Sequence, residues 1–262
     1  MKDVKIVFID LDGTLKDDND KVSLETIKLI EKLRSIGIYI IFTTGRSIPY
    51  TVKLANMYEP SSYMITSNGA EIYNYKSKEL IYSSNFSKEN IDLLSNLIDK
   101  YNLKFIANTV KKRYSNEEKA GRTLVENIKT IKEDINQVVI QSDSLNNMKL
   151  FRKEIETNSD LRIANKTKNL DNAKYYFYDI TKNDVSKGNA IKKLCDFLKI
   201  DIDRTMAIGD SGNDMEMFEV AKVKVAMKNA EEELKNKADI ITLSNNEDGV
   251  RKVLEELYNL KR

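Results

Sequence analysis

This sequence predicts an α/β fold, a doubly wound parallel sheet carrying an inserted α+β segment. Three observations support that reading. Short apolar, β-branched runs recur along the chain, each ending in a polar cluster and each followed by apolar residues at helical spacing. This βα rhythm breaks near residue 83 and resumes near residue 185, leaving an insertion of about 100 residues, an ordinary domain size. Glycine is scarce, nine in 262 residues, about half its usual abundance of roughly 7%. Six of the nine, Gly13, Gly45, Gly69, Gly188, Gly209 and Gly212, stand beside polar clusters at expected strand ends or helix starts. Those are the places where a backbone turns tightly or lets a ligand come close.

The first strand, 4–9, ends in Asp10-Leu11-Asp12-Gly13-Thr14-Leu15. Open α/β sheets bind ligands beyond such strand ends, and Gly13 lets the chain turn there so that both acids can address one crevice. The pair suits a metal, acid–base work or both. The charged loop 16–21, with Asp17, Asp18 and Asp20, is expected to be solvated; it lacks the glycine and glutamate of an EF-hand. Ser23 N-caps a helix carrying Leu24, Ile27, Ile30 and Leu33, with Gly37 closing it. The next strand, 38–42, ends in Thr43-Thr44-Gly45-Arg46, and a hydroxyl, a flexible glycine and a guanidinium suit a phosphate. After another helix, the strand 63–66 leads to Ser67-Asn68-Gly69.

Within 83–184, Ser87 opens a helix with Ile91, Leu94, Ile98 and Tyr101 at helical spacing. Strand-like runs lie at 103–107, 137–141, 161–164 and 175–180, with further helical patterns near 124–135 and 148–155 and Gly121 beside the first of these. Tyr176 and Tyr178 fit the alternation of a half-buried strand without a ligand. No site-like cluster appears in this segment. Ser186-Lys187-Gly188-Asn189 then opens a helix whose Ile191, Leu194, Cys195 and Leu198 share one apolar face, so the only cysteine is a core residue. A lysine in the first helical turn opposes the helix dipole by some 0.3–1 kcal/mol. The strand 205–208 ends in Gly209-Asp210-Ser211-Gly212-Asn213-Asp214 and is followed by a helix with Met215, Phe218 and Ala221; strands at 223–227 and 240–243 complete the set.

Composition narrows the chemistry. Lys plus Arg number 43 and Asp plus Glu 41, a net of +2, so no global field favours nucleic acid or membrane partners. No apolar run reaches the roughly 18 residues of a membrane span, no signal-peptide pattern is present, and a lone cysteine leaves no internal disulfide, so a cytoplasmic location is expected. Histidine is absent, which removes Ser-His-Asp and Cys-His catalysis and most zinc sites. Walker and Gly-x-Gly-x-x-Gly fingerprints are absent too. Four βα junctions therefore carry two carboxylates, a hydroxyl, a lysine and two more carboxylates. Four acids in one crevice repel unless a divalent cation lies among them, and an all-oxygen donor set points to Mg²⁺ with a phosphoryl group.

Taken in order, Asp10-Leu11-Asp12-Gly13-Thr14-Leu15, Thr44-Gly45-Arg46, Ser67-Asn68-Gly69-Ala70, Asp184-Val185-Ser186-Lys187-Gly188, Gly209-Asp210-Ser211-Gly212-Asn213-Asp214-Met215 and Asn246-Glu247-Asp248-Gly249-Val250 resemble the haloacid dehalogenase-like phosphohydrolases of the Cof-type, class IIB branch. One departure is Lys228, where such proteins often have glycine before Asn229-Ala230. The resemblance implies a Rossmann-like core, 1–82 and 185–262, and a substrate-selecting α+β cap, 83–184. It implies that Asp10 attacks phosphorus and that Asp12 acts as acid and base, a role needing a raised pKa that clustered carboxylates can supply. Asp10, the Asp12 carbonyl, Asp210 and Asp214, directly or through water, would hold Mg²⁺. Thr44, the Gly45 amide, Lys187 and Asn213 would bind the phosphoryl oxygens, with Leu11, Arg46, Asn68 and Gly69 around them. The expected activity is hydrolysis of small phosphorylated metabolites, with sugar phosphates foremost. A phosphomutase of the phosphomannomutase type and a non-catalytic sugar-phosphate-binding regulator are the alternatives.

Overall fold

The structure, a computed structural model, describes residues 3–166 and 175–258. The chain begins with β1 (Ile6–Ile9), α1 (Leu24–Ser35), β2 (Tyr39–Thr43), α2 (Ile48–Tyr58), β3 (Tyr63–Thr66), β4 (Glu71–Asn74) and β5 (Glu79–Ser83). It continues through α3 (Lys88–Lys100), β6 (Lys104–Thr109), β7 (Arg113–Ser115), β8 (Thr123–Leu124), β9 (Ile135–Ser142), α4 (Leu145–Glu156), β10 (Leu161–Lys166) and β11 (Tyr176–Lys182). It returns with α5 (Lys187–Leu198), β12 (Thr205–Gly209), α6 (Met215–Val220), β13 (Val223–Ala226), α7 (Glu232–Lys235), β14 (Ile240–Ile241) and α8 (Gly249–Leu257). None of these helices is long and apolar enough to cross a membrane.

Eight strands form one sheet in the order β14-β13-β12-β1-β2-β3-β4-β5, parallel from β14 to β3 and antiparallel beyond. β1 is buried throughout, as a strand covered on both faces must be. From β1 the chain winds outward through β2 to β5, and later fills the other side from β12 to β14. The winding therefore reverses between β1 and β12, where a crevice opens beyond the strand ends. Ile9 lies opposite both Ile208 and Phe42, so Asp10, Thr44 and Asp210 leave the sheet along one edge. Ser23, Ser87 and Ser186 each accept a hydrogen bond from a backbone amide in the first turn of α1, α3 and α5, as N-caps should. Cys195 is buried in the core, and burial pushes its thiol up to about 12.

The second sheet has the order β10-β11-β9-β6-β7-β8 and is antiparallel except for the β7–β8 pair. Strand alternation divides its residues between two faces. Phe105, Ala107, Val138, Ile140, Tyr178 and Ile180 pack with Leu94 and Ile98 of α3 and Phe151 of α4, and Tyr178 stacks on Phe151 with ring centroids 6.4 Å apart. Tyr176, partly buried, packs against the same cluster, so both tyrosines lie on the core-facing side of β11. Their neighbours Ile106, Asn108, Val139, Gln141, Phe177 and Asp179 face a cavity shared with the first sheet.

Two expectations fail. The pattern near 124–135 is not helical: it holds β8, one 3-10 turn over Ile128–Thr130, and the start of β9. Asn127 caps that turn by accepting from the Lys129 amide, and Ile131 is already extended, so Val125, Ile128, Ile131 and Ile135 reach the core from irregular backbone that mimics helical spacing. Gly121 accordingly has no helix beside it. Nor is the loop 16–21 simply solvated. Lys16 is buried, and Asp18 accepts from the Asn245 and Asn246 side chains, tying the loop to the segment before α8.

Candidate active site

At the sheet edge, a cavity of about 400 Å³ is lined by Asp10, Asp12, Thr44, Gly45, Arg46 and Asn213 from the core, and by side chains of the second sheet. Asp10, directly after β1, is buried. Its Oδ1 accepts from Lys187 Nζ at 2.6 Å, and the same ammonium donates to Asp214 Oδ1 at 2.6 Å. Ser186 starts α5 one residue earlier, so that capping contact sets the height at which Lys187 leaves the helix. Asp214 Oδ2 in turn accepts from the Asp210 and Ser211 amides, each at 3.0 Å, which shapes the loop after β12. Thr14 Oγ1 donates to Asp210 Oδ1 at 2.9 Å.

The electrostatics follow from this packing. Burial raises the Asp10 pKa well above the ordinary carboxylate range; Lys187 opposes that shift, and Asp214 and Asp210 add to it. Lys187, which burial alone would depress, is raised by its two carboxylates. Two of the three buried acids share Lys187, while Thr14 donates to the third. Oxygens of Asp10, Asp210 and Asp214 all lie within 4.8 Å of one another. An all-carboxylate set of this size fits a hard divalent metal ion.

Asp12 departs from expectation. Arg46 clasps it with both arms of the guanidinium, Nε to Oδ2 at 2.8 Å and Nη2 to Oδ1 at 3.1 Å, and Lys16 Nζ lies 2.6 Å from Oδ1. Burial favours a higher pKa, but Arg46 and Lys16 together hold the carboxyl below the usual range. The raised pKa expected for Asp12 belongs to Asp10 instead, because Asp10 is buried beside two further acids while two cations flank Asp12. Arg46 also sits over the Tyr50 ring, its Cζ 5.0 Å from the centroid.

The remaining motif residues shape the loops around the cavity. Thr44 Oγ1 accepts from the Arg46 amide at 3.1 Å, a contact that turns the chain after β2. Asn68, in the left-handed region at φ 57°, donates to Asp179 Oδ2 at 3.0 Å and accepts from Asn213 Nδ2 at 3.1 Å. Gly13 has φ +85°, and a Cβ there would stand 2.7 Å from Asp210 Oδ2. At Gly69, φ is +99° and a Cβ would meet the Ser186 carbonyl oxygen at 2.2 Å, so only glycine lets this turn press against the start of α5. Leu11 is wholly buried in the hydrophobic core and does not line the cavity. Lys228 is exposed beside Glu247, while its neighbour Asn229 donates to the Gly13 carbonyl at 2.8 Å.

Residues 7–254 match the family model described as haloacid dehalogenase-like hydrolase. The chain belongs to that family. It is 32% identical over 256 residues to the 5-amino-6-(5-phospho-D-ribitylamino)uracil phosphatase YcsE of Bacillus subtilis, across 96% of this chain and 95% of that protein. A haloacid dehalogenase-like hydrolase from B. subtilis shares the fold with TM-score 0.86 and 24% identity, over 97% of this chain and 100% of the other. The HAD subclass IIB sugar phosphatase BT4131 shares it with TM-score 0.80 and 23% identity, over 97% and 98% of the two chains. This haloacid dehalogenase-like chain is a phosphatase.

Sequence reasoning did not single out Lys16, Tyr50, Arg113, Arg122 or Asp179 as parts of this cavity or its border. Asp179 was within reach: once Tyr176, Tyr178 and Ile180 are core, period-two alternation puts Phe177 and Asp179 on the opposite face. Burial pushes the Asp179 carboxyl up to about 6, against Asn68, Arg46 and Lys187.

Proposed function

We propose that this phosphatase hydrolyses small phosphorylated metabolites, sugar phosphates foremost, with Mg²⁺ and through an aspartyl-phosphate on Asp10. The observation that carries the reading is Asp10 itself, a buried carboxyl on the cavity wall, 2.6 Å from Lys187 and beside Asp210 and Asp214. Held by Asp10, Asp210, Asp214 and the Asp12 carbonyl, Mg²⁺ would neutralise the clustered acids and the charge of the phosphoryl group. Lys187, Thr44, the Gly45 amide and Asn213 orient that group. An oxygen of Asp10 forms a bond to phosphorus as the bond to the leaving oxygen breaks, and Asp12 gives that oxygen its proton. Asp12 then takes a proton from water, which attacks phosphorus and frees Asp10 as phosphate departs. Arg46 and Lys16 favour the ionised form of Asp12, the form that serves as base. An arriving phosphate competes for the Arg46 fork, which loosens this hold when the acid form is needed. Residues 83–184 act as the cap, and Asn108, Gln141, Asn165 and Asp179 offer its polar contacts to hydroxyl groups.

Replacing Asp10 with Asn tests the reading. Phosphate release from an aryl phosphate should stop while the fold persists, and chelation should silence the wild type until Mg²⁺ is returned. Retained turnover in the variant would overturn the aspartyl-phosphate mechanism.

A further inference from the structure

The cavity that holds Asp10 carries two arginines on its second-sheet side, Arg113 at the start of β7 and Arg122 just before β8. Neither pairs with a carboxylate among the described residues. Arg113 donates Nε to the neutral Asn108 Oδ1 at 3.3 Å, and the Arg122 side chain has no hydrogen bond or ion pair among the described residues. Glu117, whose charge reaches Arg122, is already bonded to Lys104 Nζ at 2.5 Å. Burial, then the charges of Arg122 and Arg46, depress Arg113. Arg46 is answered by Asp12; the other two are not.

Half-buried guanidiniums that repel each other are costly in a cavity wall unless an anion joins them. Their planar forks match the paired oxygens of a carboxylate or phosphate. The transferred phosphoryl group is already provided for by Lys187 at the start of α5 and by Thr44 and the Gly45 amide after β2, at the edge of the first sheet. We infer that the substrate is a phosphomonoester bearing a second anionic group, a carboxylate or another phosphate, which Arg113 and Arg122 bind. Within the sugar phosphates this selects phosphorylated sugar acids and bisphosphates. The inference rests on the phosphatase reading above and narrows its substrate class.

The test is phosphate release by the Mg²⁺-loaded enzyme from O-phosphorylated ω-hydroxy acids of increasing chain length, their methyl esters and the matching α,ω-bisphosphates, with p-nitrophenyl phosphate as a control. At one chain length kcat/KM for an anionic member should exceed that of the ester by on the order of 10- to 100-fold, the range of a charge-assisted contact. Which anion gains tells carboxylate from phosphate. The preference should shrink in Arg122→Gln, which removes no hydrogen bond or ion pair among the described residues, and vanish in Arg113→Gln/Arg122→Gln. Control turnover with indistinguishable acid, bisphosphate and ester at every length would overturn the inference alone, as would a preference that survives in both variants. No turnover of any compound, the control included, would overturn the phosphatase reading and this inference with it.

Discussion

Glu71 takes no part in the proposed chemistry, yet it ties the two sheets together. It opens β4, is wholly buried, and accepts from Thr66 Oγ1 at 2.7 Å, Ser67 Oγ at 3.0 Å and, across to β9, Asn136 Nδ2 at 2.5 Å. Burial outweighs these three donors and moves its pKa from 4.5 to about 7. A carboxyl raised in this way contributes stability that is fully present below the unfolded value and is lost as pH rises through the folded one. At 1.36 kcal/mol per pH unit the shift is worth roughly 3 kcal/mol, and most of it disappears between about pH 5 and pH 8. Glu71→Gln keeps the volume and removes the titration. Its amide can also donate to Asn136 Oδ1, which has no hydrogen-bond partner among the described residues, once the Asn136 amide turns over. In urea titrations with EDTA, wild type and variant should agree within about 1 kcal/mol near pH 5, while the variant should be more stable by about 2 kcal/mol or more near pH 8. The same pH dependence in both proteins would refute the burial argument.

Lys187→Met leaves Asp10 and Asp214 buried without their shared cation, and loss of one partner from a buried ion pair costs about 3–5 kcal/mol; thermal unfolding in EDTA should register it, and an unchanged midpoint would contradict the network described here. Gly69→Ala drives a Cβ against the Ser186 carbonyl at a positive φ, so stability should fall by about 2–4 kcal/mol, together with turnover as Lys187 is displaced. Arg46→Gln removes the fork that orients Asp12. Its kcat for an aryl phosphate should drop by about tenfold or more, Arg46→Lys should not restore it because an ammonium lacks the paired geometry, and wild-type kcat in either variant would deny Arg46 a positioning role.

Much of the cavity was legible because a parallel sheet delivers every strand end to one edge. Asp10, Thr44 and Asp210 each follow an apolar run, and the register of β1 with β2 and β12 brings those ends level. The helix starts at Ser23, Ser87 and Ser186 were legible for a similar local reason, since a capping hydroxyl acts within its own turn. Residues 124–135 were misread because burying apolar side chains at spacings of three and four does not require a helix when a capped turn and a short strand place them equally well. Arg113 and Arg122 could not be found this way: they lie beside short strands of the second sheet, and no nearby pattern reveals which face those strands present.

The sequence alone determined the α/β class and the order of the motifs, which follow from spacing along a chain of known local geometry. Only the tertiary structure decided which acid is raised and which is lowered. Asp10 and Asp12 are near-equivalent in sequence, but packing buries the first deeply beside Asp210 and Asp214 and sets Arg46 and Lys16 on the second. A carboxyl titrates according to the charges and solvent within a few ångströms, and for these two nearly all of those charges come from elsewhere in the chain.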